Sequence, residues 1–327
     1  MKKIILYILI IIAGVVSVAS ASSIIQLNGG GIVNLNGGGV MNFQTAQYPG
    51  MCMNYGAFQG GYITPFSTTT NDIDLAYLYS KGYRTIRSQP TDPRNSTNAR
   101  AKQVALASKR AGMYTIHSLQ LNSGFLLSDW NDYINIYIPA QTTWAHDNNI
   151  DEISLGNEEE LGNTAPDAPS DAQIKADIKT AATAIKALYP TLKISYVSAG
   201  YDATIDDWYT AGIGDIDYIG FNAYGSTASA VAKGAYIFSR FGTRGWIGEF
   251  NAATAGLQGG ILNYSNESNW AQDVRGNLLA YVNSGLPRYC FFMYKDGGNE
   301  PWIIPDSYAV YASTGLRKIV ANVLGLN

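Results

Sequence analysis

The chain is poor in the residues that metal and redox chemistry need. Its 327 residues include only two histidines and two cysteines. His117, His146, Cys52 and Cys290 stand at separations that fit no zinc-ligand pattern, so neither a metal nor another cofactor is expected. Charge is scarce too, at 14% of residues with a net charge of -3, and the 22 basic residues form no stripe. That excludes the electrostatic footprint of a nucleic-acid binder. No G-x-G-x-x-G follows a candidate strand, which removes the dinucleotide-binding fingerprint, and no G-x-S-x-G marks a serine nucleophile. Past the first twenty residues or so, no apolar run reaches membrane-spanning length. Scarce charge does not mean disorder here, because 46% of the residues are hydrophobic and can fill a large core.

The N-terminus carries the clearest local signal. Lys2 and Lys3 precede an apolar run from Ile4 to Val18, and Ala19-Ser20-Ala21 is a small-x-small cleavage site. Residues 1–21 read as a signal peptide rather than a retained anchor. The mature protein is therefore expected to be secreted or at the cell surface, free of the membrane. Residues 22–47 repeat Leu-Asn-Gly-Gly-Gly at 27–31 and 35–39. Asn-Gly favours turns, so this Gly-rich leader reads as a small β-hairpin or a flexible segment, too short for a domain.

From residue 48 to 327 short runs rich in Val, Ile and Tyr alternate with amphipathic stretches. The predicted strands are Met51–Tyr55, Tyr83–Ser88, Met113–Leu119, Glu152–Asn157, Lys193–Ser198, Tyr218–Asn222, Gly245–Glu249 and Tyr289–Met293. Between them, stretches such as "NARAKQVALASKRAG" and "SDAQIKADIKTAATAIKALYP" repeat apolar residues at helical spacing. A last helix is predicted over Tyr308–Leu324. Eight strand–helix pairs in an α/β chain of this length predict a (β/α)8 TIM barrel. A doubly wound open sheet is the alternative, but it usually has fewer repeats and a Gly-rich first turn. Closure makes the first and last strands neighbours and sets Cys52 near Cys290. A disulfide is open to them, although buried free thiols are the simpler reading.

The active site of such a barrel lies at the C-terminal strand ends. The first strand ends in Asn54-Tyr55 and the second in Arg87-Ser88. The third leads to His117, Gln120 and Asn122, the fourth to Asn157-Glu158, and the fifth to Ser198 and Tyr201. The sixth ends in Asn222 and Tyr224, the seventh in Glu249, and the eighth in Tyr294, Lys295 and Asp296. Carboxylates on the fourth and seventh strands, with amide, phenol and guanidinium groups between, suit glycosidic bond cleavage. One carboxyl protonates the leaving oxygen, and the other attacks the anomeric carbon or activates water. The 23 tyrosines and 6 tryptophans also suit sugar stacking, although such residues pack cores as well.

With "GNE" closing the fourth strand and "GE" the seventh, the chain resembles glycoside hydrolase clan A, the retaining (β/α)8 glycosidases. The resemblance implies that Glu158 is the acid/base, Asn157 binds the sugar 2-hydroxyl and Glu249 is the nucleophile. Arg87 and Tyr224 match the arginine and tyrosine that lie near the clan's nucleophile. "MNYGAFQGGYITP" and "DIDLAYLYSKGYRTIR" further resemble the opening of family-17 β-1,3-glucanase-type proteins. The seventh strand departs from that family, with Glu249-Phe250-Asn251-Ala252 in place of Glu-x-Gly-Trp-Pro. Nor does a tryptophan close the eighth strand, where Tyr294 or Trp302 could substitute. Asn222, Tyr55 and His117 complete the candidate substrate-binding set, although a lone histidine more often sits satisfied in the interior. Glu159 and Glu160 are expected on a solvated loop. The implied protein is a secreted, retaining, endo-acting β-glycosidase whose partner is a polysaccharide or oligosaccharide, with β-glucan favoured. The competing class is a non-catalytic carbohydrate-binding or cell-surface assembly protein on the same scaffold.

Overall fold

A parallel strand covered on both faces has no polar side to show, which is why the eight strand segments read as near-continuous apolar runs. A computed structural model describes residues 50–56, 68–121, 124–161, 165–252, 267–292 and 323–326, together with the backbone of a few short strands outside these ranges. Eight strands follow the predicted segments to within a residue or two. They are β1 (Met51–Tyr55), β2 (Thr85–Ser88), β3 (Tyr114–Ser118), β4 (Glu152–Asn157), β5 (Lys193–Ala199), β6 (Tyr218–Tyr224), β7 (Gly245–Asn251) and β8 (Tyr289–Phe291). Each pairs in parallel with the next, and β8 closes onto β1. The chain is a (β/α)8 TIM barrel.

Helices α1 (Thr68–Ser80), α2 (Ser96–Arg110), α3 (Leu127–Asp132), α4 (Ile138–Asp147), α5 (Asp171–Leu188), α6 (Asp202–Ala211), α7 (Thr227–Phe241) and α8 (Glu267–Asn283) form the outer layer, a π-helical turn joining α3 to α4. The longest shows why these segments are helical. Ser170 caps α5 by accepting the Gln173 N–H at 3.2 Å. Ile174, Ile178, Ala181 and Ile185 then recur at helical spacing on the buried face. Among the described residues no helix is long and apolar enough to cross a membrane.

Before the barrel, Ile24–Leu27 and Gly31–Asn34 pair antiparallel, and Ser17–Val18 pairs with the first of them. The remainder of residues 1–49, where the signal peptide and leader are expected, lies outside the described residues. So does the predicted Tyr308–Leu324 helix, apart from Val323 and Leu324.

Strand residues alternate between two environments. Outward side chains such as Met53, Ile86, Ile153, Tyr196, Phe221 and Phe250 join the large core beneath the helices. Inward ones form a small apolar layer of Cys52, Ile116, Val197, Trp246 and Cys290 inside the barrel. One expectation is corrected here. Cys52 and Cys290 are not free thiols but a disulfide, and they stand directly opposite each other in the β1–β8 register with Cα atoms 4.1 Å apart. Barrel closure brings together two residues 238 positions apart, and the bond locks the seam where the sheet meets itself.

Candidate active site

Alternation decides which side chains reach the pocket above the disulfide layer. Cys52 points inward, so Asn54 does too, and Tyr55 does not. Arg87 on β2 and Ser118 on β3 follow the same rule. On β4 and β7 strict alternation would send Asn157 and Glu249 outward, because Ser154 and Trp246 face the interior. A register shift corrects this on each strand. Ser154 pairs with Ser195 but Asn157 pairs with Val197, so β4 has one residue more than β5 over that stretch. Ile247 pairs with Phe221 but Glu249 with Asn222, so β7 carries an extra residue as well. Such bulges re-aim the side chain that follows. In both strands a glycine sits immediately before the re-aimed residue. A Cβ on Gly156 would stand 2.6 Å from the Tyr196 ring, and one on Gly248 would stand 2.5 Å from Val197. The glycines of "GNE" and "GE" are thus required by the fold, and they turn a functional side chain inward.

Arg87 is the hub of the site. It is fully buried, and a buried guanidinium is tolerated only when its donors are satisfied. Its Nη1 donates to Glu249 Oε1 at 2.7 Å, to Asn54 Oδ1 at 3.1 Å and to the Gly248 carbonyl at 3.3 Å. Its Nη2 donates to Asn157 Oδ1 at 2.7 Å, and its Nε to the Ser118 hydroxyl at 3.0 Å. One side chain from β2 therefore ties together β1, β3, β4 and β7. The other oxygen of Glu249 accepts a bond from the Tyr224 hydroxyl at 2.6 Å. Burial and the Glu249 charge hold the Tyr224 phenol well above its ordinary pKa, so it donates and stays neutral.

Glu158 faces this ion pair from the end of β4. Beside it, Asn222 donates to Asn157 Oδ1 at 3.3 Å. Burial, followed by the charge on Glu249, pushes the Glu158 carboxyl up to about 8. One carboxyl of the pocket is thus held toward its protonated form, and the other is paired with Arg87 at 2.7 Å. A protonated acid beside a carboxylate can donate a proton and accept covalent attachment in the same cavity. Among the described residues no group of three His, Cys, Asp or Glu side chains is placed to hold a metal.

Of the predicted site residues, Glu158, Glu249, Asn157, Arg87, Tyr224 and Asn222 come together. Tyr55 does not. Its hydroxyl donates to Asp74 on α1 at 2.7 Å, and the side chain is buried on the outer face of β1. His117 is likewise corrected. It points outward from β3, packs edge-on against Trp144 and contacts the Ser88 hydroxyl at 3.5 Å. Burial lowers its pKa to about 3, so it is a neutral interior histidine. Ser198 also faces outward. Tyr294 and Trp302, like Asn122, lie outside the described residues. Two contributors were missed, Asn54 and Ser118, and counting by twos from Cys52 and from Ile116 would have found both. Glu159 and Glu160 do lie on the loop after β4, but the solvation expected of them is corrected, because Glu159 is buried and Glu160 accepts the Ala199 N–H on β5.

No protein-family model matches the chain, and no curated protein matches it in sequence. The family-17 likeness of the N-terminal half therefore rests on the residues alone. Solved structures do match. A GH5_18 protein from Streptomyces cattleya in complex with GlcNAc superposes with a TM-score of 0.64 at 14% identity, over 85% of this chain and 79% of that one. A GH5-4 broad-specificity endoglucanase from Clostridium longisporum gives 0.57 at 12% identity, over 85% and 95%. A Bifidobacterium dentium β-glucuronidase complexed with coumarin-3-O-glucuronide gives 0.59 at 14% identity, over 96% of this chain but 48% of its own. These structural neighbours are glycoside hydrolases of clan A type. At such identities the likeness is one of fold.

Proposed function

We propose that the chain is a retaining β-glycosidase acting on an oligosaccharide or polysaccharide, with β-glucan-like chains favoured and endo action suited to an exported enzyme. The observation that carries this reading is a pair of carboxyls in one pocket, Glu249 held by Arg87 at 2.7 Å and by Tyr224 at 2.6 Å, and Glu158 opposite with its carboxyl pushed up by burial and by the Glu249 charge. In the first step a Glu249 oxygen bonds to the anomeric carbon while the glycosidic C–O bond breaks. The Glu158 proton passes to the departing oxygen. Esterified Glu249 no longer carries the charge that helps to raise Glu158, so Glu158 becomes a better acid and is left ionised. It then takes a proton from water as that water attacks the anomeric carbon, freeing Glu249 and restoring the starting state. Asn157, held by Arg87 and Asn222, is placed to meet the sugar 2-hydroxyl, whose hydrogen bond strengthens in the transition state.

The neighbours support the choice of substrate class, since one was crystallised with Manβ1-4GlcNAc and another is an endoglucanase. Export is supported by the basic-apolar-small pattern of residues 1–21 and by the Cys52–Cys290 disulfide, a bond that persists in oxidising compartments. The test is a screen of the purified protein against laminarin, galactan, mannan, xylan and cellulose, with Glu249→Gln alongside. The reading expects sugar release from at least one glycan by the wild type and none by the variant. Hydrolysis that survived the substitution would remove Glu249 from its role.

A further inference from the structure

The three consecutive glutamates after β4 go three ways. Glu158 turns into the pocket, whereas Glu159 and Glu160 pass to the outer side of the sheet. Glu159 is 3% exposed, and its Oε1 accepts the Leu121 N–H at 3.1 Å, which ties the loop after β3 to the end of β4. Its other oxygen lies where a Cβ on residue 156 would come within 2.4 Å, so glycine there also makes room for this carboxyl. Glu160 lies across the next strand. One of its oxygens accepts from the Tyr196 hydroxyl, and the other accepts from the Ser198 hydroxyl and from the Ala199 N–H at 3.3 Å.

Between Asn157 and these two anchors, Glu158 holds a φ of 62°. Its N–H donates to the Val197 carbonyl at 2.9 Å, and its carbonyl accepts the Leu161 N–H at 2.8 Å. The left-handed region is costly for a non-glycine residue and persists only where the surroundings enforce it. The same turn aims the Glu158 side chain inward while Glu159 and Glu160 aim outward. Burial pushes the Glu159 carboxyl up to about 8, and the Glu160 charge adds to this, so no second full negative charge is stacked next to Glu160 at neutral pH.

We propose that Glu159 and Glu160 are positioning residues for the acid/base: pinned to Leu121 and to β5 on the outer face, they hold Glu158 in its left-handed turn with its carboxyl aimed at the leaving oxygen. The proposal rests on the glycosidase reading of the pocket and extends it to two side chains that never touch substrate. It has a signature that a purely structural role lacks. Misplacing the acid slows departure of a poor leaving group, which needs the proton, and hardly affects a good one, which does not.

The experiment compares wild type with Glu159→Ala, which removes the acceptor for the Leu121 N–H, Glu160→Gln and the milder Ser198→Ala. Substrates are the 2,4-dinitrophenyl and phenyl β-glycosides of glucose, mannose and N-acetylglucosamine. The Glu159 and Glu160 variants are expected to lose about 10- to 100-fold in kcat/KM on the phenyl substrate and less than about 3-fold on the dinitrophenyl one. Ser198→Ala should show the same pattern at several-fold. Equal losses on both substrates, or none on either, overturn the proposal, because a lowered folded fraction reduces both rates together. A wild-type protein that releases no sugar from any of the five glycans and turns over none of the six substrates overturns the glycosidase reading first, and this proposal with it.

Discussion

The barrel interior holds two buried arginine–glutamate pairs, one at each end, and they are built to opposite purposes. At the N-terminal end Arg288 grips Glu152 with two bonds of 2.7 and 2.9 Å, and the Tyr114 hydroxyl donates to the same carboxylate at 2.9 Å. The guanidinium also lies 3.9 Å from the Trp246 ring. One positive and one negative charge cancel, and the group plugs the floor. At the C-terminal end Arg87 gives Glu249 a single bond and spends its other donors on amides, a carbonyl and a hydroxyl. A second carboxyl, Glu158, then crowds the pair. The floor is balanced, while the upper site carries one acid too many and leaves it protonated. That imbalance is what a proton-transfer site requires and a structural plug avoids.

The comparison can be broken most sharply at Glu249. Replacing it with Gln should cost on the order of 10⁴-fold or more in kcat, because the group acts as a unit with its partners, and leave the far-ultraviolet circular dichroism unchanged. Removing the disulfide that separates the two ends, with Cys52→Ala and Cys290→Ala together, should destabilise the fold without touching the chemistry. A loop this long predicts a loss of about 5 kcal/mol and roughly 10 °C in Tm, read by thermal unfolding. Glu152→Gln breaks the balanced pair and leaves Arg288 without a counter-charge. Denaturant unfolding should show a loss of about 3–5 kcal/mol, with kcat of the folded protein retained.

The crowded acid should respond in the opposite sense. The native state raises Glu158 from its ordinary 4.5 to about 8, so the folded protein binds the proton more tightly than the unfolded chain does. Its contribution is therefore fully present below about pH 4.5 and is lost as pH rises through 8. Glu158→Gln should be more stable than wild type at pH 8 by about 2–4 kcal/mol, and equal to it near pH 4. The wild-type kcat/KM should fall on the alkaline side with an inflection near 8, and this limb should vanish in the variant. The smallest change tests the alternation of β1. Tyr55→Phe should cost about 1 kcal/mol of stability through the lost bond to Asp74 and leave KM unmoved.

Much of this was legible in the sequence, because burial on both faces makes each strand an apolar run and the helices between them are amphipathic. The strand ends were legible as well, and the candidates Glu158, Glu249, Arg87, Tyr224, Asn157 and Asn222 read from them lie together in the structure. What failed was direction. Reading the last residues of each strand as delivered to the pocket ignores that alternate side chains leave it, and so Tyr55 and His117 were included while Asn54 and Ser118 were passed over. At Asn157 and Glu249 the same reading succeeded for a reason it did not contain, the glycine-marked bulges that reverse the alternation. The disulfide was left open because closure makes β1 and β8 neighbours, but only the register places Cys52 directly opposite Cys290. The loop position of Glu159 and Glu160 was legible but their burial was not, because a run of acids ordinarily faces water, and nothing local announces Leu121, Tyr196 and Ser198 as partners.

The central claim is that Glu249 forms a covalent glycosyl ester while Glu158 supplies the proton. Its most direct test is to incubate the protein with the 2,4-dinitrophenyl 2-deoxy-2-fluoro-β-glycosides of glucose and mannose and then map the label by peptide mass spectrometry. The account predicts one fluorosugar per chain, carried on the peptide containing Glu249 and absent from Glu249→Gln. A label on Glu158 or elsewhere, or rapid turnover of the natural glycan with no ester trapped and an inverted anomeric product, would contradict it.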